Sequence, residues 1–221
     1  MTHDEIIKAL FDETMIGNAP AVLELTNKAL AEGMGPDTIL FEALIPSLEE
    51  VGARFERGDY FVPEMLIAGK AMSGALNVLR PLLAETGAET VGTFLMGTVK
   101  GDVHDIGKNL VNIMLEGAGF KVIDIGVQVA PEKFVAAINE HQPDILGMSA
   151  FLTTTMPMFK VNIHEITKAG LRDKVIIMVG GAPVTQEYAD VVGADGFAAD
   201  ASTAVRVAKD LIQKKRALVN A

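Results

Sequence analysis

The chain has 221 residues, of which 49% are apolar, carries a formal charge of −10 and contains no cysteine. That length and apolar content can build one large domain or two small ones, each with its own core. The acidity argues against a surface made to neutralise nucleic-acid phosphates, and without cysteine a disulfide, a thiolate metal site and a Cys nucleophile are all excluded, so any metal must take His or oxygen ligands.

The opening residues, MTHDEIIKAL, lack the basic start and apolar stretch of a secretory signal. No apolar run approaches the roughly 18 residues needed to cross a bilayer. The expectation is a cytoplasmic protein with neither membrane nor nucleic acid as partner.

Residues 1–84 show only helical periodicity. Turn signals at Gly17 to Pro20, Gly33 to Pro36 and Gly58 with Asp59 divide them into about four helices, with Pro46 a kink or break. Leu40, Leu44, Leu48, Val51 and Phe55 recur at helical spacing, as do Met65, Ala68, Met72, Ala75, Leu79 and Leu82. Such seams predict a small helical bundle. Residues 85–90 read as a linker.

From residue 91 to 221 the pattern changes to short apolar runs alternating with amphipathic stretches. Strands are expected at Val91 to Met96, Lys121 to Ile125, Ile145 to Ser149, Lys174 to Val179 and Gly196 to Ala198. The intervening helices are expected at Ile106 to Leu115, Pro131 to Asn139, Met156 to Lys168, Val184 to Val191 and Ala201 to Lys214, with a frayed end from Arg216. Runs such as VIIMV have no wet face, so the strands form a parallel sheet covered on both sides. The predicted fold class is α/β: an N-terminal helical bundle followed by a doubly wound, Rossmann-like or flavodoxin-like five-stranded parallel sheet.

In such a sheet the loops after the strands share one rim, where ligands bind. The loop after the first strand, GDVHDIGK, sets His104 inside an Asp-x-His-x-x-Gly frame made with Asp102 and Gly107. The loop after the third carries Ser149, Thr153, Thr154 and Thr155, and that after the fourth carries Gly180 and Gly181. An Asp two residues before a His can hold one imidazole nitrogen and leave the other as a metal ligand. Asp102 or Asp105 could equally cap the next helix, and the threonines could cap theirs. His3, His141 and His164 read as ordinary polar positions.

Several familiar sites do not match. Gly117 and Gly119 follow a helix rather than a strand and lack a third spaced glycine, against the dinucleotide fingerprint. There is no Gly-Lys-Ser/Thr element, no acidic cluster with a buried Lys on the rim as in a receiver domain, and the surroundings of Ser149 are not a Gly-x-Ser-x-Gly elbow.

The three loops together resemble those of the corrinoid proteins of anaerobic methyltransferase systems, whose cobalamin-binding module is similar to that of cobalamin-dependent methionine synthase. Asp102, His104 and Gly107 match the family's signature, Ser149 and Thr153 its serine loop, and Gly180 with Gly181 its glycine turn. The segment from Phe55 to Glu64 looks like the cap over the upper corrin face, so the resemblance covers nearly the whole chain. It implies a base-off, His-on cobalamin or other corrinoid, as methylcobalamin in the loaded form, with His104 as the axial cobalt ligand. Asp102 would accept a hydrogen bond from His104, and Thr155 stands where a serine completes this relay in the related methyltransferases. Asp105, Gly107, Ser149, Thr153, Gly180 and Gly181 would contact the corrinoid, and Phe55 and Val62 would shield the methyl group.

The implied function is that of a cofactor-carrying subunit rather than a free-standing catalyst. A substrate-specific methyltransferase would load a methyl group from a C1 donor onto Co(I), and a second would pass it to tetrahydrofolate or coenzyme M. A corrinoid-reactivating protein is a further partner. Methanol, methylamines, betaines and aryl methyl ethers are all open as donors. The alternatives are a cobalamin-dependent sensor, which should bring a basic DNA-binding element, the cobalamin domain of an adenosylcobalamin mutase, and a non-cobalamin interaction module.

Overall fold

The computed structural model describes residues 1–86 and 90–219. It divides into two compact units, Met1–Thr90 with Glu116–Gly119, and Val91–Leu115 with Phe120–Ala221. Residues 87–89, the middle of the expected linker and hinge, lie outside the described residues, as do 220–221.

The first unit is helical. Helix α1 (His3–Met15) starts at a capping box in which the Thr2 hydroxyl accepts from the Glu5 N–H and the Glu5 carboxylate accepts from the Thr2 N–H. Helix α2 (Ala19–Ala31) follows the Gly17 turn and is capped by Asn18. A short α3 (Pro36–Thr38) runs into a π-helical turn, Ile39–Leu44, and then into α4 (Ile45–Arg57). Pro46 therefore does not break the helix. It cannot donate to the carbonyl four residues back, and the turn before it widens so that the Ile45 N–H reaches the Leu40 carbonyl. Helix α5 (Val62–Thr86) completes the unit. Leu40, Leu44, Leu48, Val51, Met65, Ala68, Met72, Ala75 and Leu79 are buried, whereas Phe55 is only half-buried.

In the second unit, among the described residues, β1 (Thr93–Thr98), β2 (Lys121–Asp124), β3 (Ile145–Ser149), β4 (Ile176–Gly180) and β5 (Gly196–Ala198) form one sheet in the order β2-β1-β3-β4-β5. All pairings are parallel. The connecting helices are α6 (Ile106–Gly117), α7 (Pro131–His141), α8 (Pro157–Lys168), α9 (Gln186–Val192) and α10 (Ala201–Val219). The order is the flavodoxin-like one, whose switch point lies between the strands here called β1 and β3. A core of Leu95, Leu146, Met148, Ile177 and Val179 packs against Phe134, Phe159, Ile163 and Ile166.

Several boundaries differ from those expected: β1 begins at Thr93 rather than Val91, β2 ends at Asp124 rather than Ile125, and β4 runs Ile176–Gly180 rather than Lys174 to Val179. Strand β1 ends at Thr98 rather than Met96, because Gly97 continues the ladder. A Cβ there would stand 3.0 Å from both Ile125 and the Phe134 ring, so the glycine makes room for packing and does not mark a turn. The tail expected to fray from Arg216 is helical through Val219, where Lys215 donates to the Lys174 carbonyl and Arg216 to that of Val91. Among the described residues no helix is long and apolar enough to cross a membrane.

Candidate cofactor site

The register brings the ends of three strands level: Thr98 pairs with Ser149, and Ser149 with Gly180. The loops after β1, β3 and β4 thus leave from one edge. After β1 the chain turns through Gly101, and Asp102 drops beneath the loop until it is fully buried.

The Asp102 carboxylate is surrounded by donors. Its Oδ1 accepts from the His104 N–H at 3.0 Å and lies 2.7 Å from His104 Nδ1. Its Oδ2 accepts from the N–H groups of Phe151 at 2.7 Å and Leu152 at 3.3 Å, and from the Thr155 hydroxyl at 2.8 Å. Burial pushes the carboxyl pKa up, but the hydrogen bonds from His104, Phe151 and Thr155 outweigh it and hold the group well below the usual carboxylate range. An ionised carboxylate can only accept, so Nδ1 carries the imidazole proton and Nε2 keeps a lone pair to offer. The His104 side chain remains 45% exposed.

Other groups orient the same residue. The buried Thr98 hydroxyl donates to the His104 carbonyl at 3.0 Å. The Phe151 ring stacks on the imidazole, centroids 4.3 Å apart. Neither Thr98 nor Phe151 stood out in the sequence, since each reads as an ordinary strand-end or apolar loop residue. The loop after β2 also joins in: the Gln128 N–H donates to the Asp102 carbonyl, with Gln128 in the left-handed region at φ 51°. Gly126 was its one available signal.

The remaining expected residues fall as follows. Thr155 is buried and does not cap α8, which starts two residues later without a side-chain cap. Its hydroxyl reaches Asp102, and its extra methyl lies on the Gly101 side, 3.6 Å from where a Cβ of that glycine would stand. Asp102 caps no helix; it holds the turn. Asp105 is exposed at the start of α6, and its carbonyl accepts from the Asn109 N–H. Gly107 is exposed, with open space where a Cβ would project, and Thr153 is exposed. Ser149 and Gly180 are half-buried at the strand ends. At Gly181, φ is 134° and a Cβ would overlap the Ala150 carbonyl oxygen at 1.8 Å, so no other residue fits. Phe55 and Val62 belong to the helical unit, Val62 exposed at the start of α5. His3 and His164 are exposed, and His141 lies near Glu140 alone.

Among the described residues no group of three or more His, Cys, Asp or Glu side chains could cage a bare metal ion. A metal that brings its own macrocycle would need only one further nitrogen from the protein, and His104 Nε2, with Nδ1 turned to Asp102, is free to offer one. Around it Val103, Ile106, Phe151 and Leu152 leave large apolar surfaces exposed, which suits an extended organic ring better than solvent. The donor set and the open apolar rim therefore fit a cobalt corrinoid.

A parallel sheet of this order, presenting one carboxylate-backed imidazole amid apolar loops, has the features of a protein that seats a metal macrocycle. Family profiles described as "B12 binding domain" match residues 92–208 and 6–80. The chain is 41% identical over 96% of its length to the dimethylamine corrinoid protein of Methanosarcina barkeri, all of which is covered. It is 38% identical over 99% of its length to trimethylamine corrinoid protein 1 of Methanosarcina acetivorans, covering 99% of it. It superimposes with a TM-score of 0.84 on a chain of the methanol:cobalamin methyltransferase complex MtaBC from Methanosarcina barkeri, at 29% identity, covering 95% of this chain and 80% of that one. The chain belongs to the corrinoid proteins of the B12 binding domain family.

Proposed function

We propose that the chain is the methyl carrier of a corrinoid-dependent methyltransferase system in the cytoplasm. The observation that supports it most is the 2.7 Å contact of His104 Nδ1 with a fully buried Asp102, itself held by Thr155. His104 Nε2 would hold the cobalt of the corrinoid, and Asp102 keeps the proton on Nδ1 so that Nε2 is free to do so. The hydrogen bond to the ionised Asp102 would keep the His104 ring oriented whether or not the metal is held. When bound, the corrinoid supplies the cobalt centre for methyl transfer. Gly107, Ser149, Thr153, Gly180 and Gly181 line its seat, with Asp105 at the edge.

Residues 1–84 are the cap, with Phe55 and Val62 shielding the methyl group, and two partners reach that group in turn. One partner methyltransferase brings the C1 donor. The dimethylamine and trimethylamine of the relatives' names favour a methylated amine. The second passes the methyl to tetrahydrofolate or coenzyme M, and a corrinoid-reactivating protein restores carriers that have been oxidised.

Reconstitution with hydroxocobalamin and absorption spectra of the wild type and His104→Ala test this reading. The wild type should bind corrinoid in the His-on form and the variant should lose that form. A wild type that binds none, or a variant with an unchanged spectrum, overturns it.

A further inference from the structure

We propose that Lys108 is a positioning residue for His104, acting through a buried polar chain behind the turn. The inference rests on His104 being the axial ligand.

Lys108 lies in the first turn of α6, and although lysine is rarely buried without a partner, only 3% of it is exposed. Its ammonium donates to the Asp124 carboxylate at the end of β2 and to Asn109 Oδ1 at 2.8 Å. Asn112, one turn further along α6, donates its amide to the same Asp124 oxygen at 3.0 Å, and its own carbonyl oxygen is left buried without a hydrogen-bond partner. The carboxylate thus dictates which way Asn112 points, even though this orphans an acceptor. Asp124 Oδ1 accepts from the Gly126 N–H at 2.9 Å, the Gly126 carbonyl accepts from the Thr98 N–H at 2.9 Å, and the Thr98 hydroxyl donates to the His104 carbonyl.

Lys108 therefore ties the start of α6 to the loop after β2, and that loop carries the tie to the backbone of His104. Asp102 sets the imidazole from one side; the Lys108 chain sets the peptide that bears it from the other. Neither partner of the ion pair is bonded to the imidazole, and the polar chain reaches His104 only through its backbone carbonyl. Its role is orientation of the ligand before binding.

The test uses the full chain free of corrinoid as well as loaded. In the ¹⁵N NMR spectrum of the apo wild type, His104 should show the Nδ1–H tautomer. Lys108→Met, which keeps the length and removes the donor, should give a mixed tautomer and raise amide exchange at His104 about tenfold while β3 amides are unchanged. Corrinoid affinity should fall about tenfold, and Lys108→Arg should restore part of it. Thr98→Val cuts the same chain at its far end and should reproduce the tautomer and exchange changes, which decides the matter should Lys108→Met fail to fold. An unchanged His104 tautomer and exchange rate in a folded Lys108→Met, or in Thr98→Val, overturns the proposal. Because these readouts need no corrinoid, a wild type that fails to bind one sinks the ligand reading separately.

Discussion

The turn that carries His104 and the segment that carries Phe55 and Val62 are held in opposite ways. At the turn, a fully buried carboxylate gathers donors from two stretches of chain, its own loop and residues about fifty positions away. Between α4 and α5 the contacts are local and exposed: Glu50 pairs with Arg54 and Arg57, Arg57 with Asp59, and the Phe61 N–H donates to Glu64. Arg54 also stacks over Tyr60. Hydrogen bonds to a buried charge are costly to leave unmade, whereas exposed ion pairs contribute little. Under the proposed function, a metal ligand needs one orientation and a covering segment needs to let go. The difference in bonding suits that difference in task.

The sharpest way to break the comparison is Asp102→Ala, which leaves the donors of His104, Phe151, Leu152 and Thr155 without their acceptor. It should cost about 3–5 kcal/mol in urea unfolding. A loss no larger than that of a surface substitution would mean the turn is not rigid. Gly181→Ala should follow at about 2–4 kcal/mol, since its Cβ meets the Ala150 carbonyl in a conformation only glycine takes readily. Thr155→Val should cost about 1.5–3 kcal/mol by removing a hydrogen bond to a charged group, with Thr155→Ser close to wild type. Gly58→Ala, at φ 79° in the exposed segment with open space around it, should cost only about 1 kcal/mol, strain without a clash.

Acid sharpens the same contrast. The Asp102 pKa is lower in the folded protein than its ordinary 3.8, so the unfolded chain takes up the proton first as pH falls. The stability that Asp102 contributes is complete above about pH 5 and is lost progressively below that. The gap in unfolding free energy between wild type and Asp102→Ala should therefore narrow between pH 5 and pH 3. A constant gap would show that the carboxylate is not acting as a charge.

Much of this was legible in the residues. The alternation of apolar runs with amphipathic helices gave the doubly wound sheet and its five strands, and Asp102, His104 and Gly107 with the two later loops carried the resemblance to corrinoid proteins. Local pattern failed where neighbours distant in sequence decide. Gly97 reads as a strand end until Phe134 is seen to need its space. Pro46 reads as a break until the preceding turn is seen to widen. Thr155, which taken alone reads as a helix cap, stands where the resemblance set it, with its hydroxyl 2.8 Å from Asp102.

The sequence by itself determined the order of elements, the rim on which the loops gather and which histidine stands on it, because periodicity and motif spacing are local properties of a chain. Only the tertiary structure decided how that histidine is held: that Asp102 is wholly buried, that Phe151 stacks on the imidazole, and that Thr98 and the Lys108–Asp124 pair support its backbone from behind. Those contacts join residues whose types are unremarkable alone, and burial, which gives a hydrogen bond or an ion pair its weight, exists only once the sheet has assembled.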